Sequence, residues 1–268
     1  SIEKMAGAYW KWDAKNHMMT RIYWLVFPNK QELKEYQTMM EEAKKRDHKI
    51  LWKKFDLFSF SEYGPWFPFF HNNWMIIINE LQKYWRETHT RDGYEEIKTP
   101  IMLNKELREV SGHRWHYKEN MYITNIDEQD FAIKPMNCPG WMLVYKTTPK
   151  SYRDLPLKAG EFGQVHRHEL SGTLNGLFRV RTFTQDDAHI FCTEEQFKQE
   201  IKNVIDLIFE MYACFGFDNV NIELSTRPEK YVGELSDRDL AEDNLKQALT
   251  EKNIDYVINE WDGAFYGP

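Results

Sequence analysis

The chain has 268 residues, 42% of them hydrophobic and 15% aromatic, enough to bury one large core or one and a fraction. A net charge of -7 and a pI near 5.8 argue against coating nucleic acid through bulk positive charge, while leaving room for a specific contact on a local patch. No window reaches the apolar length of a membrane span, SIEKMAGAYWKWD carries no secretory signal, and the irregularly spaced Cys138, Cys192 and Cys214 suit reduced thiols, so a cytoplasmic chain is expected.

The start at Ser1 and the close on AFYGP read as a fragment cut at both ends. Residues 29–46, NKQELKEYQTMMEEAKKR, predict an amphipathic helix: an Asn cap, Glu32 three positions on, and Leu33, Tyr36, Met40 and Ala43 at helical spacing. DLFSFSEYGP reads as a turn-rich lead into a second helix over 75–88, and GYEEIKTPIML as a strand interrupted at Pro100. MYITN and DFAIKP predict a hairpin around an acidic turn. LKAGEFGQVHRHE and LFRVRTFTQDDAHIFC predict two long antiparallel strands joined by LSGTLNG. The capping box Thr193–Gln196 opens a helix running to about Gly216, followed by a strand in VNIELST, a helix from about Asp237 to Lys252, and a strand in IDYVINE. Strands and helices that do not alternate strictly predict an α+β fold, helices on a mostly antiparallel sheet.

Chemistry concentrates on the two long strands. A period of two puts Arg167 with Glu169 on one face, and likewise Arg179, Arg181 and Phe183, or Gln185, Asp187 and His189 further along. Guanidinium, carboxylate, ring and imidazole together are costly to bury without a ligand. Arginine forks match phosphate oxygens and a ring stacks a purine, so an ATP-like ligand fits. A solvated face with cross-strand ion pairs fits the same pattern.

The words KPMNCPG, SYRDLPL, EFGQVHRHELSG, LNGLFRVRTFTQDDAHIF, ELSTRPEKYVG and DGAFYGP resemble the threonyl-tRNA synthetase family of class II aminoacyl-tRNA synthetases, in a resemblance that covers nearly the whole chain. The resemblance implies a class II antiparallel sheet flanked by helices. Residues 1–48 would be the end of the editing-side region and the linker helix, and 49–268 the catalytic domain, truncated before its third signature motif. It further implies ATP-dependent formation of threonyl adenylate and transfer to tRNA(Thr), with threonine, ATP and Mg2+ as ligands. A homodimer would form through the segment around Pro100. Arg167 would hold the α-phosphate and the amino acid carboxylate, Glu169 the adenine amino group and Arg179 the outer phosphate, with Phe183 stacked on adenine. Gln185, Asp187 and Tyr266 resemble substrate-side residues. Cys138 and His189 resemble two of three protein ligands of a Zn2+ whose open position separates threonine from valine by the hydroxyl. Cys192 and Cys214 read as buried thiols. The third zinc ligand, the anticodon-binding domain and the editing site that serine rejection requires would all lie outside this chain, which by itself is expected to be inactive.

The chain departs from that family in one consistent way. Trp12, Trp24, Trp52, Trp66, Trp74, Trp115 and Trp261 stand where glycine is usual, Trp141 where glycine or histidine is, and Arg108 and Arg114 where tryptophan is. A host that reads UGA as glycine and certain CGN codons as tryptophan would produce this pattern under another codon table. If half of the eight tryptophans needed positive φ, strain would reach about 4 to 12 kcal/mol, comparable to a domain's stability of about 5 to 15. The rival reading is a non-catalytic synthetase paralogue, a binding or regulatory module in which Trp141 fills the pocket beside Cys138. A class II ligase for serine or proline is a further alternative.

Overall fold

The computed structural model describes residues 2–12, 15–104 and 121–264. Arg108, Arg114, Trp115 and Tyr266 lie outside them. Strands β1 (Ile2–Tyr9) and β2 (Met18–Trp24) pair as an antiparallel hairpin. Helix α1 (Lys30–Lys45) starts where the sequence places it: Asn29 accepts from the Glu32 N–H at 2.9 Å and its own amide reaches back to the Glu32 carboxylate. A short helix α2 (His48–Lys54) follows, capped by Asp47. The stretch read as a turn-rich lead is in fact a hairpin, β3 (Phe58–Ser61) and β4 (Gly64–Phe70). Helix α3 (Asn72–Arg91) is longer at both ends than 75–88.

The strand expected across Pro100 is two strands in different sheets, β5 (Tyr94–Glu96) and β6 (Met102–Asn104), because the proline has no N–H to carry a ladder through. Strands β7 (Ile123–Ile126) and β8 (Gln129–Ile133) form the expected hairpin, its turn made by Asp127 and Glu128, both at positive φ. Then come α4 (Cys138–Lys146), β9 (Leu157–His166), β10 (Thr182–Phe191) and α5 (Glu194–Cys214), the last opened by Gln196 accepting from the Thr193 N–H at 3.0 Å. Strands β11 (Glu223–Ser225) and β12 (Val257–Asn259) pair in parallel around α6 (Leu235–Glu251).

The chain divides into two compact units, 1–60 with 69–76, and 61–68 with 77–268. In the first, Trp52 and Phe58 rings lie 4.6 Å apart and Phe70 stacks on Trp74 at 5.4 Å. The second is α+β, and its central sheet runs β10-β9-β5, with β5 parallel to β9 and β10 antiparallel to it. Trp85, 3% exposed, supports the back of that sheet, its indole packed on Phe162 and its N–H donated to Asp186. Cys192 is half-buried as expected, with burial raising its thiol pKa, whereas Cys214 is exposed at the end of α5, so the buried-thiol reading fails there. No helix among the described residues is long and apolar enough to cross a membrane.

Candidate active site

β9 and β10 pair over ten residues without a bulge, from Thr182 opposite His166 to Phe191 opposite Leu157. The alternation is therefore unbroken, and Phe183, Gln185, Asp187 and His189 share one face with Val165, Gly163, Glu161 and Ala159. This is the face that strand periodicity puts Gln185, Asp187 and His189 on.

The N-terminal turn of α4 is fastened to it. Asn137, fully buried, donates its amide to Asp187 Oδ2 at 2.8 Å and lies 3.5 Å from Gln185 Oε1. Trp141, three residues past Cys138, stacks on the His189 ring with centroids 4.7 Å apart, and its N–H donates to Glu161 Oε1 at 2.9 Å. Cys138, half-buried in the first turn of α4, thus belongs to the segment lying over the His189 face.

Below, Glu161 is 1% exposed and its carboxylate accepts from the Thr99 N–H and the Thr99 hydroxyl, both at 2.9 Å. Lys134, also buried, donates to Thr99 Oγ1 at 2.7 Å and sits 3.6 Å from Glu161. Burial pushes the Lys134 ammonium below its ordinary pKa and the Glu161 charge draws it partly back. Burial likewise lowers the pKa of His189, against the pull of Asp187 and Glu161, and its Nδ1 is buried with no hydrogen-bond partner among the described residues.

The second group of expected residues is not on a strand. β9 ends at His166, and Arg167, Glu169 and Arg179 lie in the connection 167–181, so their shared strand faces are not formed. The polar run HRHE has no apolar alternate to hold a pleat against the core, and the Glu169 N–H closes a tight turn on the Arg167 carbonyl at 2.9 Å. Spatially the loop still assembles the set. The Arg167 guanidinium stands 5.2 Å from the centre of the Phe183 ring, its Nε donating to the Pro135 carbonyl at 3.0 Å, and Glu169 pairs with the largely exposed Arg179 at 3.3 Å. Arg181 braces the loop by donating to the Pro65 and Glu169 carbonyls.

Asn137, Thr99, Lys134 and Glu161 were missed in sequence. Glu161 had a signal, a lone carboxylate in AGEFGQV, a strand otherwise small, apolar or amide. Asn137 had none beyond its neighbour Cys138.

The arrangement offers cations beside an aromatic ring and a half-buried polar strand face with the buried Asn137 and Glu161 against it. Residues 122–268 match the family model described as tRNA synthetase class II core domain (G, H, P, S and T). The chain belongs to this class II tRNA synthetase family. Among its relatives, "Threonine--tRNA ligase" of Carboxydothermus hydrogenoformans is 59% identical over 98% of this chain, and that of Clostridium botulinum 58% over 98%. The chain spans 42% and 41% of those curated relatives' lengths. In fold, the class II architecture is matched by a crystal structure described as the RNA binding domain of threonyl-tRNA synthetase from Cryptosporidium parvum. Its TM-score is 0.78 at 40% identity, covering 83% of this chain and 56% of that one.

Proposed function

We propose that the chain is the catalytic core of a threonine-tRNA ligase, with residues 1–48 leading into it. The observation that carries this reading is the single strand face holding Phe183, Gln185, Asp187 and His189, with Arg167 at one end and the Cys138 helix over the other. ATP binds with adenine on Phe183, its amino group at Glu169, and its phosphates held by Arg167 and Arg179 with Mg2+. Threonine sits over Gln185 and Asp187, with Tyr266 a further contact. Its carboxylate oxygen attacks the α-phosphorus and pyrophosphate leaves; a ribose hydroxyl of tRNA(Thr) then takes the threonyl group and AMP leaves. The carboxylate is already ionised, so the protein need only place it in line and neutralise charge.

The residues present fit a zinc ligand set. Burial disfavours the charged form of His189, which has a buried nitrogen without a hydrogen-bond partner among the described residues, and Cys138 lies in the segment above it, a third ligand coming from outside the described residues, among which no three candidate side chains converge. Zn2+ held there would add a Lewis-acid position for the substrate's amino and hydroxyl groups, which valine fills incompletely. A homodimer through the Pro100 segment and a cytoplasmic location complete the proposal.

The test is ATP–pyrophosphate exchange by the enzyme containing this chain. Exchange dependent on threonine, with valine poorer by well over the roughly hundredfold an apolar pocket provides, supports it. Arg167→Ala is expected to lower kcat by about 10²- to 10³-fold. A second reading, a non-catalytic paralogue, draws on Trp141, whose indole covers the His189 ring. ATP binding without exchange would establish it.

A further inference from the structure

We infer that Asn137 is a positioning residue that sets the substrate-side strand, and that Gly163 exists to admit it. The inference rests on the threonine reading of the face formed by Gln185 and Asp187.

Asparagine just before a helix is a strong capping residue, its side-chain oxygen accepting from the first turn. Asn137 occupies that position on α4 and makes no side-chain cap. Its side chain instead turns onto β10, donating to Asp187 Oδ2 at 2.8 Å and lying 3.5 Å from Gln185 Oε1. Both neighbours are acceptors, which fixes the amide with nitrogen toward the strand. The oxygen is buried without a partner among the described residues, so the donors toward β10 are what hold the orientation.

The opposite wall is shaped to this amide. Gly163 pairs with Gln185 in the β9–β10 register, and a Cβ on it would lie 2.5 Å from both Asn137 Cγ and Oδ1. Neither backbone can give way: one is the middle of a ten-residue ladder, the other the turn that introduces Cys138. A methyl at 163 must therefore displace the Asn137 side chain.

Asp187 bonded this way has one carboxylate orientation available, and Gln185 is steered from the same nitrogen. The segment carrying one metal-ligand candidate and the strand carrying the other are thereby locked in register, so that threonine meets a preset pair of side chains. ATP, gripped by Arg167, Glu169 and Arg179 in the 167–181 loop, does not depend on this amide.

The experiment is a double-mutant cycle in the enzyme containing this chain, with KM for threonine, KM for ATP, kcat and melting temperature measured for Asn137→Ala, Asn137→Asp, Gly163→Ala and N137A/G163A. Expected is a rise in KM for threonine of about 10- to 100-fold in each single variant, the range for loss of an orienting partner, with KM for ATP unchanged. The double variant should be no worse than the poorer single one, because the methyl has nothing left to displace. An unchanged threonine KM in N137A, a parallel rise in both KM values, or additive losses in the double variant would overturn the inference. Unsubstituted enzyme that shows no threonine-dependent exchange overturns the underlying reading, and the inference with it.

Discussion

Trp66 and Trp261 each hold an indole on a backbone at φ +67°, a region where glycine is at ease and a bulky residue is strained. They are the tryptophans at positive φ among the described residues, so the strain is about 2 to 6 kcal/mol rather than the 4 to 12 anticipated for half of eight sites. Trp52, Trp74 and Trp141 lie instead within aromatic clusters or a helix, where the structure gives them neighbours. Trp66→Gly and Trp261→Gly are therefore each expected to raise stability by about 1 to 3 kcal/mol in chemical denaturation. Intact mass of the protein from its own host is expected to show glycine at both positions. His166 gives a second test at this scale. Burial lowers its pKa below the usual 6.5 and its Nδ1 has no hydrogen-bond partner among the described residues, so the folded chain binds the proton less readily than the unfolded one. Stability is then full above the unfolded value and falls as pH drops below it. Urea midpoints should decline as pH is lowered below about 6.5, and His166→Gln should flatten that decline.

At the scale of elements, the buried Glu161 joins four segments: Thr99 ahead of β6, Lys134 after β8, β9 itself, and Trp141 on α4. A buried pair contributes little over an apolar substitute, but breaking it leaves a bare charge. Glu161→Gln is accordingly expected to cost about 3 to 5 kcal/mol in urea unfolding, with K134M/E161L milder than either single change. What was legible in sequence follows the same division between local and distant causes. The starts of α1 and α5 were readable because a cap is settled within four residues, Asn29 with Glu32 and Thr193 with Gln196. The β7–β8 hairpin and the alternation along TFTQDDAHIF were readable for the same reason. The β3–β4 hairpin was hidden by Gly64 and Pro65, which read as turn. Helix α4 was hidden by its Cys-Pro-Gly start, a breaker sequence held helical by burial of Pro139, Gly140 and Trp141. The site's residue identities came from resemblance, and the structure places Phe183, Gln185, Asp187 and His189 on one strand face; the loop geometry of Arg167, Glu169 and Arg179 depends on where β9 stops pairing, which no single residue announces.

Across the whole molecule, support is unequal. β1 and β2 form a two-stranded sheet with Ile2, Met5, Met18 and Trp24 each more than 60% exposed, a format of marginal stability by itself. β9 and β10 are instead backed by Trp85 and tied to the Glu161 network. Amide exchange is expected to be fast over 2–24 and slowest over 157–166 and 182–191; comparable protection in the two regions would contradict this ordering. The ladder from Thr182 to Phe191 also acts as a ruler. Because it contains no bulge, a single residue inserted or deleted at the start of β10 would turn Gln185, Asp187 and His189 toward Trp85 and bring Asp186 forward, whereas the 167–181 connection can change length and leave the count intact. On the proposed function, variation in this chain is thus free to retune the nucleotide-side loop while the spacing of the strand face stays fixed to the residue.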